Sequence, residues 1–218
     1  MTKVKICGIT NLDDARFSAQ AGADMLGFNF YKKSPRYIDF DLATDICDTL
    51  RAELGDKCPQ LIGIFVNELV SNISAITNKV GLNGAQLSGD ESDNMLRELW
   101  GMGYKGIQPM NAKQALDDVN YYSPHFTTRE KMPALLLDAY HPSLAGGTGL
   151  SVSADIIVAI QDKVPRLMLA GGYNPDNVAE RVKMYRPWGV DVASGVETDG
   201  KKDQAKIKAF IEAVKSVG

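Results

Sequence analysis

The chain has 218 residues, of which 44% are hydrophobic and 23% charged, with a formal net charge of −3 and a pI near 5.4. That length and composition suit one soluble domain with a sizeable core, and the weakly acidic balance without a basic stripe speaks against a nucleic-acid partner. No stretch approaches the run of about 18 apolar residues that a membrane span needs.

In chain order, short apolar runs alternate with segments of helical period. The first strand is expected at 4–6, followed by a helix at 12–21. A strand at 26–30 precedes a helix at 42–54, and a strand at 61–66 precedes one at 69–79. A strand at 85–87 leads to a helix at 93–102. Strands at 106–108, 134–137 and 166–169 follow. A helix at 177–184, a strand at 190–192 and a helix at 204–217 close the series. Strand–helix alternation implies a parallel sheet with right-handed crossovers. Eight strands in this length favour an α/β fold of one (β/α)8 TIM barrel, taken as a single domain over 1–218; a doubly wound open sheet is the alternative.

Cys7, Cys47 and Cys58 are odd in number and show no C-x-x-C or metal-like spacing, and residues 1–10 lack an apolar segment of signal-peptide length. Both features fit a reduced, cytoplasmic location. His125 and His141 are the only histidines and read as loop residues, so no metal site is expected. Lys201-Lys202 reads as a solvated charge pair before the last helix.

Side chains alternate faces along a strand. Lys5 and Cys7 therefore share one face, Val4 and Ile6 the other; Asp138 shares a face with Leu136; and Asp191, between two valines, points into the barrel. The ends of barrel strands are where chemistry is built in this fold. Each residue also has a plain reading: Cys7 as an inert core thiol, Asp138 as a loop cap, Asp191 as a structural hydrogen-bonding group, Arg36 as a surface cation.

Three glycine-containing turns fall late: Gly146-Gly147-Thr148-Gly149, Ala170-Gly171-Gly172 and Ala193-Ser194-Gly195. Each can expose backbone N–H groups to an anion, and the loops after strands seven and eight are the usual phosphate cradle of such barrels. A single double glycine is ordinarily just a turn. Two after consecutive late strands point to a small phosphorylated substrate.

The collinear series Lys5-Ile6-Cys7-Gly8-Ile9-Thr10, Ser34-Pro35-Arg36, Gln86-Leu87-Ser88-Gly89, Leu137-Asp138, Gly146-Gly147-Thr148-Gly149, Leu169-Ala170-Gly171-Gly172 and Asp191-Val192-Ala193-Ser194-Gly195-Val196-Glu197 resembles the phosphoribosylanthranilate isomerase family. The resemblance implies an Amadori rearrangement in tryptophan biosynthesis, without cofactor or metal. It implies Cys7 as general base and Asp138 as general acid, with Arg36 at the anthranilate end. Asp191 reads as a further substrate contact. The glycine turns supply the phosphate site: Gly147, Gly149, Gly171, Gly172, Ser194 and Gly195. The sequence leaves the oligomeric state open, with a monomer favoured.

The chemistry suits these types. A carboxyl kept protonated by apolar walls can protonate a ribose ring oxygen, and a thiolate can remove the proton that a Schiff base acidifies. Lys5 is one possible source of help for the Cys7 thiolate. Arg36 offers a planar fork to a carboxylate. The chain departs from the family at Ser88 (usually histidine), Gln108 (commonly lysine), the run 150–155 starting at Leu150, and Ala193 (commonly serine). These changes leave the proposed acid, base and arginine in place. A related barrel enzyme for another phosphoribosyl amine and a non-catalytic phosphometabolite binder are the competing readings.

Overall fold

In the computed structural model, residues 1–139 and 152–218 are described. The eight β-rich runs become eight parallel strands: β1 (Lys3–Cys7), β2 (Met25–Asn29), β3 (Gln60–Phe65), β4 (Gly84–Leu87), β5 (Gly103–Ile107), β6 (Leu135–Leu137), β7 (Leu167–Leu169) and β8 (Gly189–Val192). They pair in sequence order, and β1 also pairs with β8, which closes the barrel. The register sets Lys5 opposite Met25 on one side and Asp191 on the other. The chain thus adopts the (β/α)8 barrel that the alternation implies, not an open sheet.

Outside lie α1 (Leu12–Ala21), α2 (Phe40–Leu54), α3 (Val70–Val80), α4 (Asp93–Glu98), α5 (Ala112–Tyr122), α6 (Ala154–Ile160), α7 (Val178–Tyr185) and α8 (Gln204–Lys215). Caps set several starts. The Asn11, Asn111 and Asp203 side chains accept the backbone N–H groups of Asp14, Gln114 and Lys206, satisfying donors that a first helical turn leaves unpaired. Between β8 and α8 runs a short 3-10 turn (Ser194–Val196), then a two-stranded ribbon of β9 (Glu197–Thr198) and β10 (Lys201–Lys202).

Pleat parity divides the core in two. Outward residues such as Val4, Ile6, Leu26, Leu61, Leu135 and Val190 join the helix faces in one large cluster. Met25, Ile62, Tyr104, Leu136 and Met168, with Met132 and Ala170, form a separate cluster inside the barrel. Burial on both faces is what a parallel barrel demands of its strands.

Two boundaries differ from the sequence reading by three residues or more. β5 begins at Gly103, three residues before the expected start. The charge of Lys105 hides this strand, because its ammonium is buried in an ion pair with Glu91 at 2.9 Å. α4 stops at Glu98, since Trp100 (φ 50) and Gly101 (φ 76) turn left-handed and end it. α5 and α6 are not among the helices that the sequence picks out.

Candidate active site

The C-terminal strand ends gather the polar side chains. Lys5 points into the barrel and donates to Asp191 Oδ1 on β8 at 2.9 Å, with side-chain exposures of 0% and 9%. Two residues on, Cys7 ends β1 at the mouth and is partly exposed. Burial pushes its thiol up; Lys5 pulls it down, Asp191 pushes it up again, and Lys202 pulls it down. The balance leaves Cys7 above its ordinary range, so the charge of Lys5, shared with Asp191, does not by itself make a thiolate.

Asp138 follows β6, three strands round the barrel from β1. Its Oδ2 accepts from Gln108 Nε2 at 3.1 Å and its Oδ1 from Ala139 N at 2.8 Å. Burial raises its carboxyl above the usual range despite those two donors, and the Asp191 charge adds to the rise.

Arg36 comes from the loop after β2, where Ser34 Oγ accepts from Asn29 Nδ2 and from Arg36 N, each at 3.1 Å. Its side chain crosses Gly8 (φ +79), where a Cβ would collide with Arg36 Cδ. Only glycine both tolerates that dihedral and leaves that room. The guanidinium then meets Glu197 in a two-point pair, Nε to Oε1 and Nη2 to Oε2, both 2.7 Å.

The last two loops lie against each other. Gly171 (φ +84) and Gly172 (φ +68) are successive left-handed residues after β7. Asn177 at the head of α7 donates to the Gly172 carbonyl at 2.9 Å, and its Oδ1 accepts from Asn174 N. Gly195 sits so near the Tyr173 carbonyl that any Cβ would strike it. Ser194 and Gly195 open the 3-10 turn beside this loop.

The comparisons match this arrangement. A family model described as N-(5'phosphoribosyl)anthranilate (PRA) isomerase matches residues 4–213. An N-(5'-phosphoribosyl)anthranilate isomerase of Trichlorobacter lovleyi is 40% identical over 216 residues, covering 99% of this chain and 98% of the relative. Its counterpart from Chlorobaculum tepidum is 40% identical over 222 residues, covering 99% and 96%. The crystal structure of phosphoribosyl anthranilate isomerase from Thermotoga maritima superposes with a TM-score of 0.84 at 38% identity, covering 99% of this chain and all of that one. A phosphoribosyl anthranilate isomerase solved with reduced 1-(o-carboxyphenylamino)-1-deoxyribulose 5-phosphate gives 0.80 at 37%, with 99% and 100% covered. The chain belongs to the phosphoribosylanthranilate isomerase family.

For this member of the family, the structure brings Cys7, Asp138, Asp191 and Arg36 to one end of the barrel, with Gly171, Gly172, Ser194 and Gly195 in the two adjoining loops. Gly147 and Gly149, with Leu150 and His141, lie outside the described residues. His125 closes a 3-10 turn (Ser123–His125).

One reading is corrected. Lys201 is exposed, but Lys202 is not solvated: its side chain is 2% exposed, and it donates to Glu197 Oε1 at 2.6 Å and Ala193 O at 2.9 Å. Burial lowers its ammonium, against the pull of Glu197. Burial alone would raise Glu197, but Arg36 and Lys202 hold it below the usual range. Adjacent identical charges in a two-residue strand point to opposite faces, and that parity was the available signal. Glu197 was missed as well. It is visible in Ser-Gly-Val-Glu, but nothing local says that a residue past β8 closes on a loop after β2. The departures find places too: Gln108 holds Asp138, and Ser88 Oγ accepts from Gln86 Nε2 at 3.0 Å while Gln86 Oε1 accepts from buried Tyr104 OH at 2.8 Å.

Proposed function

We propose that this chain catalyses the Amadori rearrangement of N-(5-phosphoribosyl)anthranilate to 1-(2-carboxyphenylamino)-1-deoxyribulose 5-phosphate in tryptophan biosynthesis. The observation that carries the reading is the pairing of a carboxyl raised by burial, Asp138, with a thiol, Cys7, at one barrel mouth. Asp138 gives its proton to the ribose ring oxygen. The C1–O bond breaks as the anthranilate nitrogen lone pair forms C=N, leaving an iminium cation. The Cys7 thiolate removes the C2 proton, and that electron pair forms C1=C2 and neutralises the nitrogen. The enaminol then ketonises, C1 gaining a proton and the C2 hydroxyl losing one. The iminium supplies the cation that favours thiolate at the step that needs it.

Arg36 takes the anthranilate carboxylate, a match of planar fork to planar anion. Asp191 contacts the substrate from the floor of the mouth. Backbone N–H groups of Gly171, Gly172, Ser194 and Gly195, with Gly147 and Gly149, hold the phosphate. No metal or cofactor enters these steps, and nucleic acid has no part in them. The protein is taken as cytoplasmic, with residues 1–218 forming one barrel domain and a monomer favoured over an oligomer. Among the described residues no helix is long and apolar enough to cross a membrane.

The test is turnover of freshly generated phosphoribosylanthranilate, followed by loss of its fluorescence, with Cys7→Ala alongside. Rapid loss in the parent and a fall of about a hundredfold or more in the variant are expected, the scale of general-base catalysis. No turnover by the parent would discard the reaction, and an unaffected variant would move the base elsewhere.

A further inference from the structure

The substrate reading gives Arg36 a carboxylate to bind, yet its fork already holds one. A guanidinium carries one N–H on Nε and two on each terminal nitrogen. Glu197 takes the side formed by Nε and Nη2. Among the described residues Nη1 has no partner, so the end formed by Nη1 and the second Nη2 hydrogen remains as another fork.

Glu197 is not placed to swing away. Its side chain is 7% exposed and it sits in β9, paired through the backbone with Lys202 of β10. Lys202 Nζ holds Oε1 at 2.6 Å and is tied to the Ala193 carbonyl, while Lys206 Nζ grips the Glu197 carbonyl at 2.8 Å. The chain Ala193–Lys202–Glu197–Arg36 thus runs from the end of β8 to the loop after β2, over Gly8. With two cations on one anion it carries a net positive charge of one.

We propose that Glu197, anchored by Lys202, is a positioning residue that fixes the plane of the Arg36 guanidinium and aims its remaining fork at the substrate carboxylate. This rests on the reaction assigned above. The rival arrangement is a Glu197 that occupies the carboxylate's place and must be displaced. The two make opposite predictions.

The test is calorimetric binding of two ligands to the parent, Glu197→Gln and Lys202→Met. One ligand is reduced 1-(o-carboxyphenylamino)-1-deoxyribulose 5-phosphate, the other its counterpart without the ring carboxylate. Glu197→Gln should bind the carboxylated ligand at least about tenfold more weakly, the scale of a charge-assisted hydrogen bond, and the other ligand as the parent does. Lys202→Met should show the same selectivity with a smaller loss. In turnover, KM should rise more than kcat falls. An equal loss for both ligands, or none, would reduce Glu197 to a structural residue and overturn the proposal. Tighter binding of the carboxylated ligand by Glu197→Gln would establish displacement instead. A parent that neither binds the ligands nor turns over substrate would remove the reaction and the proposal with it, whereas an active parent with unchanged selectivity in both variants removes the proposal alone.

Discussion

Lys5 in β1 and Lys105 in β5 are both buried and both reach a carboxylate oxygen at 2.9 Å, Asp191 in one case and Glu91 in the other, yet they serve the barrel differently. Lys105 turns outward and is saturated: besides Glu91 it donates to the carbonyls of Leu87 and Gly89. Glu91 in turn accepts the backbone N–H groups of Asn67 and Gly89, both at 2.8 Å, which ties together the loops after β3 and β4. Lys5 turns inward, where Asp191 takes one donor and Cys7 lies within reach of its charge. Burial obliges each ammonium to find a partner. How fully it is satisfied decides whether its charge is spent on structure or is still felt by a reacting group.

At Asp138 the mouth should lose activity without losing stability. Asp138→Asn should lower kcat by about two to four orders of magnitude, the range attributed to a general acid. The amide keeps an acceptor for Ala139 N, and Gln108 can turn its own amide to face the new donor. The variant should also outlast the parent near neutral pH. The folded pKa of Asp138 is raised, so its contribution to stability is present below the ordinary aspartate pKa of about 4 and is lost as pH rises toward the folded value. An asparagine escapes that loss. Melting temperatures at pH 4 and pH 7.5 check the sign: the advantage of the variant must grow with pH.

The same substitution at the two lysines separates the regions. Lys105→Met leaves the buried Glu91 carboxylate without its counter-ion, and should cost about 3–5 kcal/mol in urea unfolding while leaving the pH profile of kcat in place. Lys5→Met also strands a carboxylate, but Lys5 is the leading cation that lowers the Cys7 thiol. Its removal should move the limb governed by Cys7 to higher pH. A profile that moves for Lys105→Met, or stays put for Lys5→Met, would erase the distinction.

What could be read beforehand follows the same division. The alternation of strand and helix, the inward turn of Asp191, the shared faces of Lys5 with Cys7 and of Leu136 with Asp138, and the strand-end positions of Cys7 and Asp138 are local consequences of period and pleat, and a single sequence displays them. The fifth strand was misplaced because a lysine inside it looks like loop until its distant partner Glu91 is known. The clamp on Arg36 escaped for a like reason: Arg36 and Glu197 stand 161 residues apart, and only barrel closure joins the loop after β2 to the chain after β8. Charges are hard to place from sequence when their partner is supplied by closure.

Gln108→Leu is the mildest way to probe the mouth. The Gln108 amide donates to Asp138 and so favours the carboxylate; without it the carboxyl should be harder to ionise. Asp138 has to be protonated and Cys7 deprotonated for the proposed chemistry; burial raises both groups, which favours the first state and opposes the second. Raising Asp138 therefore enlarges the competent fraction and offsets part of the positioning lost with the hydrogen bond. The expected outcome is a kcat within about tenfold of the parent, the worth of one such bond, with the limb governed by Asp138 moved to higher pH. A limb that stays in place would mean that Gln108 only orients the carboxyl, and a limb that moves down would mean that it stabilises the protonated form.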